Sequence, residues 1–205
     1  MFSGTALLFL TNAFGGGATG THKIWLSLFQ AMTALTTVGF DTFPISQMSH
    51  SAVYLLAVLM VMGASPAGTG GGVKSTTIVA VFAQTMHTLR GKTNVTFLGR
   101  QIPTYRLRIA SASFVFYIFI LAIGVYLLSI AESSSIFDIT FEAASALGTV
   151  GLSMGITAGL SLLGKLIIIV LMFIGRIGPL TIGLAIFSKK EEPDNIGWPD
   201  DVVIG

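Results

Sequence analysis

A chain of 205 residues with 53% hydrophobic side chains, only 10% charged ones and a mean hydropathy of +0.84 lies outside the balance of a soluble globular domain, and reads as an integral membrane protein. Its net charge of +2 is too small to favour a nucleic acid partner, and the absence of cysteine excludes disulfides and thiolate metal sites. The three histidines, His22, His50 and His87, are scattered, so neither a metal cluster nor a catalytic triad can be assembled and no enzyme is expected.

In chain order, Met1 to Phe14 is a short apolar stretch without a basic start, followed by a loop-like Gly15 to Gly20. It reads as the end of a helix rather than as a signal peptide. His22 to Leu35 is helix-like but too short to cross a bilayer, and it runs into T-T-V-G-F at Thr36 to Phe40. An apolar run from Ser49 to Met62 then passes through GASPAGTGGGVKSTT, Gly63 to Thr77, and resumes from Val73 to about Leu89. That glycine stretch resembles a phosphate loop but lacks the required G-K-[ST], because Val73 precedes Lys74.

The connection to the second half carries Arg90, Lys92, Arg100, Arg106 and Arg108, and the C-terminal end carries Lys189 and Lys190. The segments expected on the opposite side, near 15–23, 41–50, 131–138 and 152–162, contain only Lys23 as a basic residue. By the positive-inside rule the connector and the C-terminus are cytoplasmic. Tyr105 to Ala131 exceeds the roughly 20 apolar residues that span a bilayer. Ser135 to Leu147 is a second short helix, ending in L-G-T-V-G-L. Leu160 to about Phe187 is a long apolar segment broken by Gly175, Arg176, Gly178 and Pro179. The polar tail, 189–205, has no packed core of its own.

The chain repeats itself. FQAMTALTTVGF at Phe29 to Phe40 and FEAASALGTVGL at Phe141 to Leu152 share seven of twelve residues at an offset of 112, which also aligns Ser49 with Ser161, Leu59 with Leu171 and Gly63 with Gly175. Each unit reads as helix, short helix, T-V-G, polar turn and helix. A short helix with a non-helical return is tolerated in a membrane only where protein or a watery path surrounds the backbone, which implies a pore. Threonine and valine are expected to hold T-V-G extended, with glycine letting successive carbonyls point one way, as in the TVGYG loops of potassium channels. The short-helix C-termini at Leu35 and Leu147 would add negative dipole ends facing a cation. The second glycine of TVGYG is missing from both copies, where Asp41 and Ser153 stand, implying weaker selectivity than a potassium channel has.

On TTVGFDT (Thr36 to Thr42), GASPAGTGGGVKSTT (Gly63 to Thr77), LGTVGLSMG (Leu147 to Gly155) and FIGRIGPLT (Phe173 to Thr181), the chain resembles the Trk/Ktr/HKT superfamily of potassium transporters, specifically the membrane subunit of bacterial Trk and Ktr systems. The resemblance implies an all-α integral membrane fold of helix, re-entrant helix, filter loop and helix units around a pore, four per chain. Here it covers a third unit over residues 1–90 with its first helix cut short, a connector over 91–104, a fourth unit over 105–188 and the tail 189–205. Either the chain is a C-terminal part of such a protein or two copies form a two-by-two ring; residues 1–14, too short to span, favour the former.

The resemblance further implies potassium uptake across the cytoplasmic membrane without a covalent cofactor, potassium being the substrate and sodium a second possibility. Backbone carbonyls of Thr36, Thr37, Val38, Gly148, Thr149 and Val150 would be the ion ligands, with Gly39 and Gly151 the central filter glycines. The gate would comprise Gly68, Thr69, Gly70, Gly71 and Gly72, with Arg176 at the matching depth of the second unit. The glycine loop lies about 14 residues after Ser49, or roughly 21 Å of helix, which puts it inside the membrane; a permanent kink is the alternative. Arg176 would face the pore, or cap broken-helix carbonyls. Lys74 would snorkel to the interface or edge the pore. Asp41, Asp138 and Glu142 would concentrate cations outside, or act as helix caps and solvated loop charges.

Implied partners are a second copy in a homodimer, a cytoplasmic nucleotide-binding regulatory ring reached through the basic connector and the tail, and membrane lipid; no nucleic acid is expected. A sodium-coupled or weakly selective cation transporter, a non-conducting fragment and a membrane enzyme using the glycine loop for phosphate remain as alternatives. Trk and Ktr subfamilies are not separated by these residues.

Overall fold

The computed structural model describes residues 2–11, 13–14, 20–63, 70–91, 95–97, 100–178, 181–183 and 185. Among these, seven helices carry the architecture: α1 (Phe2–Leu10), α2 (Gly20–Thr36), α3 (His50–Val61), α4 (Ser75–Leu89), α5 (Thr104–Ala131), α6 (Ile136–Gly148) and α7 (Leu162–Ile177). Single 3₁₀ turns at Ile45–Gln47 and Thr157–Gly159 precede α3 and α7. A two-residue antiparallel ladder, β1 (Thr96–Phe97) with β2 (Arg100–Gln101), folds the connector back on itself, a feature absent from the expected all-α reading. So short a ladder has no periodicity to betray it in sequence.

Among the described residues α5 alone is long and apolar enough to cross a membrane by length and composition. Its 28 residues span about 42 Å at helical rise. Val115, Phe119, Tyr126 and Ile130 on α5, and Leu162, Leu163, Ile169 and Phe173 on α7, are all more than half exposed. Apolar area on that scale suits lipid or further protein rather than water.

Two cores organise the packing. Leu8, Ala31, Ala34, Ala52, Val53, Leu56 and Met60 join α1, α2 and α3, and Phe141, Ala144 and Val150 extend this core into α6. Tyr117, Ile120, Leu128, Ile139, Ala143, Leu147 and Leu171 form the second between α5, α6 and α7. Burying a large apolar side chain contributes about 1.5–3 kcal/mol, and the two cores share α6. Phe141 to Gly148 are all buried, so the short helix is enclosed by α3, α5 and α7.

Serines start the helix beyond each T-V-G. Ser49 Oγ accepts from Ala52 N at 3.4 Å and Ser161 Oγ from Gly164 N at 3.1 Å, the same bond 112 residues apart. Such caps satisfy one of the free N–H groups of a first turn and contribute about 1 kcal/mol each. Ser161 is itself tied to α5: its N and Oγ donate to Glu132 Oε1 at 2.8 and 2.7 Å, joining the end of that helix to the start of α7. α7 stops at Ile177, where Gly178 takes φ 98, so the long segment breaks at the glycine-rich interruption expected for it, and helical backbone is found again at 181–183. The tail 189–205 lies outside the described residues.

Candidate functional site

α2 and α6 run one residue beyond their expected ends, to Thr36 and Gly148, and both release the chain the same way. Thr37 and Thr149 adopt left-handed backbone, φ 56 and 53, and Gly39 and Gly151 lie two residues on at φ 82 and 97. Val38 N donates to Thr33 O at 3.1 Å and Val150 N to Ser145 O at 2.9 Å, again 112 residues apart. The two T-V-G segments therefore share one backbone path. This corrects the expectation that threonine is extended there: its left-handed turn ends the helix, as a C-cap does, and redirects the chain. A β-branched residue in that region costs about 1–2 kcal/mol. Its occurrence at both copies marks a position held by its surroundings.

The two segments also lie against one another. A Cβ built on Gly39 would land on the Val150 carbonyl, and one on Gly151 would come within 3.7 Å of Gly39 Cα. Glycine is thus required at Gly39 twice, by its φ and by the neighbouring strand. Of the residues expected to supply ion ligands, Thr36 and Gly148 are the last helical residues, and Thr37, Val38, Thr149 and Val150 continue from them.

The glycine loop arrives at the second of these segments. α3 ends at Val61, and the chain returns with Val73 N donating to Val61 O at 3.2 Å. On this return Gly71 N donates to Thr149 Oγ1 at 3.0 Å. A Cβ on Gly71 would stand 2.8 Å from the Gly148 carbonyl, so only glycine lets the loop backbone approach so closely. Lys74 reaches back to give Nζ to Gly70 O at 2.8 Å, which replaces the expected snorkelling position with a tether inside the loop. Gly71 is thus brought to the second T-V-G segment, while Gly72 lies against Gly63 and Met60 O and Gly70 is held by Lys74. Gly68 and Thr69 lie outside the described residues.

The broken ends of α3 and α7 converge on the end of α6. Gly148 lies 3.1 Å, measured from its built Cβ, from Met60 O, and a Cβ on Gly175 would land on the Leu147 carbonyl. Arg176 comes directly after Gly175 in the last turn of α7, where a cation complements the helix dipole. Asp138 occupies the first turn of α6, where an anion is favoured, and Ser135 caps that helix with its hydroxyl accepting from Phe137 N at 3.3 Å. Asp41 is exposed after the first T-V-G.

Sequence reasoning missed the bracing behind the second segment. Ser145 Oγ accepts from Gly151 N at 3.2 Å, and the buried Glu142 carboxyl accepts from Ser153, Met154 and Thr157. Glu142 is therefore engaged beneath the surface instead of standing as an external cation collector. The alignment held the signal: Gln30 and Thr33 occupy the matching positions, polar residues inside otherwise apolar short helices.

Comparison with known proteins matches this chain over residues 13–197 to the family described as TrkH, cation transport protein. It is 41% identical over 182 residues to Ktr system potassium uptake protein B of Bacillus subtilis (strain 168), covering 88% of this chain and 40% of that protein. To Ktr system potassium uptake protein B of Vibrio alginolyticus it is 37% identical over 206 residues, covering 98% of this chain and 44% of the relative. The crystal structure of the potassium transporter TrkH from Vibrio parahaemolyticus superposes with a TM-score of 0.73 at 19% identity, covering 91% of this chain and 41% of that one. That likeness shows the fold. The chain spans about two-fifths the length of the relatives it matches.

Proposed function

Because this chain belongs to the TrkH family of cation transport proteins, we propose that it supplies two filter strands and a gate loop to a potassium uptake pathway across the cytoplasmic membrane. The observation that carries the reading is the paired backbone at Thr37 to Gly39 and Thr149 to Gly151, alike in turn and in the positive φ of its glycines, and side by side. Carbonyls of Thr36, Thr37, Val38, Gly148, Thr149 and Val150 then replace the hydration shell of the ion, with two further strands completing the ring. Potassium is the substrate; both Ktr relatives are named potassium uptake proteins.

The glycine loop serves as the gate under this reading. Its bond to Thr149 and its approach to the Gly148 carbonyl put non-helical backbone against the inner end of a filter strand, the kind of backbone tolerated at membrane depth only around a conduction path. Arg176, near the same helix end, adds a positive charge that raises the barrier to cations. The connector and the tail face the cytoplasm, where the basic residues offer a surface to a nucleotide-binding regulatory ring; two copies of the full pore assemble as a dimer.

Potassium uptake by the intact transporter in a transport-deficient strain, with sodium and pH varied, tests this. Potassium-dependent growth restored at low potassium supports it. Uptake that saturates equally with sodium favours the weakly selective alternative, and no cation uptake at normal membrane levels overturns the reading.

A further inference from the structure

Glu142 lies on α6 and is only 5% exposed. Its repeat mate 112 residues earlier is Gln30, fully buried on α2. Both side chains hydrogen-bond to the segment that leaves T-V-G, but with unequal strength. Gln30 Nε2 donates once, to Phe43 O at 3.1 Å. Glu142 Oε1 accepts from Ser153 Oγ at 2.5 Å and Met154 N at 3.0 Å, while Oε2 accepts from Thr157 Oγ1 at 2.9 Å. Ser153 Oγ also lies 3.0 Å from Thr157 Oγ1 and accepts from Gly155 N at 2.8 Å. One carboxyl thus organises Ser153 to Thr157, the stretch that begins two residues after Gly151.

A pocket of about 270 Å³, open on one side, lies between α6, its T-V-G segment and α7, lined by Glu142, Ser145, Thr149, Gly151 and Ser153 among others. On that open side hydrogen bonds supplement the packing of Leu152 and Met154. Ser145 anchors the strand itself through Gly151 N, and Glu142 anchors the segment beyond it. The strand is thus fastened at Gly151 and again just beyond it.

We propose that Glu142 is a specificity-determining positioning residue: by bracing Ser153 to Thr157 it keeps the second filter strand from closing around a cation smaller than potassium. The inference rests on the reading that the T-V-G strands conduct potassium. It also assigns the two strands unequal stiffness, the second being the firmer because three bonds replace the one made by Gln30.

The test is rubidium and sodium uptake by the assembled transporter with Glu142→Ala, Glu142→Gln and the double variant Ser153→Ala/Thr157→Val, each compared at equal membrane levels. Glu142→Ala is expected to lower the rubidium-to-sodium uptake ratio about tenfold, the factor that corresponds to roughly one net hydrogen bond's worth of bracing being felt at the ion. Glu142→Gln should restore most of it, since its amide oxygen can still accept from Ser153 and Met154 while its NH₂ donates to Thr157 Oγ1. The expected change is in the sodium KM more than in the maximal rubidium rate. An unchanged ratio in Glu142→Ala overturns the proposal; should that variant fail to reach the membrane, an unchanged ratio in the double variant does so instead. Absence of uptake by the unaltered transporter would fail the conduction reading itself, and so is told apart from failure of the brace.

Discussion

The amide of Gly71 donates to the hydroxyl of Thr149 at 3.0 Å, a bond between residues 78 apart in sequence that joins the glycine loop to the second T-V-G segment. If this loop is the gate proposed above, the bond holds it closed against the strand and its loss opens the path. Thr149→Val removes the acceptor while keeping the branched shape, so it should free the loop. Rubidium flux into proteoliposomes holding the transporter without its activating conditions is expected to rise about two- to tenfold, as the loss of one ordinary hydrogen bond allows. Thr149→Ser, which keeps the hydroxyl, should leave basal flux low. Equal flux in all three proteins would mean that the bond has no part in closing the path.

The two T-V-G glycines, proposed as filter glycines, are predicted to be unequal. Gly39 has φ 82 and a Val150 carbonyl where a Cβ would stand, whereas Gly151 has φ 97 with its nearest neighbour, Gly39 Cα, 3.7 Å from a built Cβ. Gly39→Ser therefore meets both strain and collision, and Gly151→Ser meets strain alone, about 1–2 kcal/mol for an L residue in that region. Both should weaken potassium over sodium discrimination, with Gly39→Ser the more damaging. Competition of sodium with rubidium uptake measures the order; a larger loss at Gly151 would contradict the packing.

A third expectation concerns the seat of α7 on α6. A Cβ on Gly175 lands on backbone, the Leu147 carbonyl, but one on Gly124 meets only the Leu171 side chain, at 2.8 Å. Backbone cannot step aside as a leucine can. Gly175→Ala should thus cost about 1–3 kcal/mol through overpacking, and Gly124→Ala less. Thermal unfolding of the detergent-purified transporter would show a clearly lower midpoint for the first variant, and equal midpoints would show that α7 can move off α6 freely.

The short helices and the matching path of the two T-V-G segments were legible because they depend on local pattern and because Phe29 to Phe40 is written again at Phe141 to Leu152. Ser49 and Ser161 are of a type that favours helix starts, and both do cap. Three other features were not legible. The left-handed turn at Thr37 and Thr149 runs against the preference of threonine and is imposed by the bonds from Val38 to Thr33 and Val150 to Ser145. Lys74 gives no hint in sequence that it folds back on Gly70. The role of Glu142 was hidden because an acid near a loop suggests solvent, and only the fold brings Ser153, Met154 and Thr157 around it.

Arg176 stands beside Gly175 at the end of α7, close in sequence to the backbone contact with Leu147. Under the proposed reading Arg176 lies within the membrane, where an arginine would cost at least about 2.5–3.5 kcal/mol and its charge would act on the cation path. If it raises the barrier to cations, the charge rather than the fork of donors matters, and lysine should substitute for it. Arg176→Gln is expected to increase rubidium flux severalfold, and Arg176→Lys to keep it near the unaltered value, on the scale of about 1 kcal/mol for a partly screened charge near the path. Flux raised equally by both variants would shift the role to the guanidinium fork holding backbone carbonyls. Flux unchanged in both would remove Arg176 from the gate and leave it as a terminal cation on the dipole of α7.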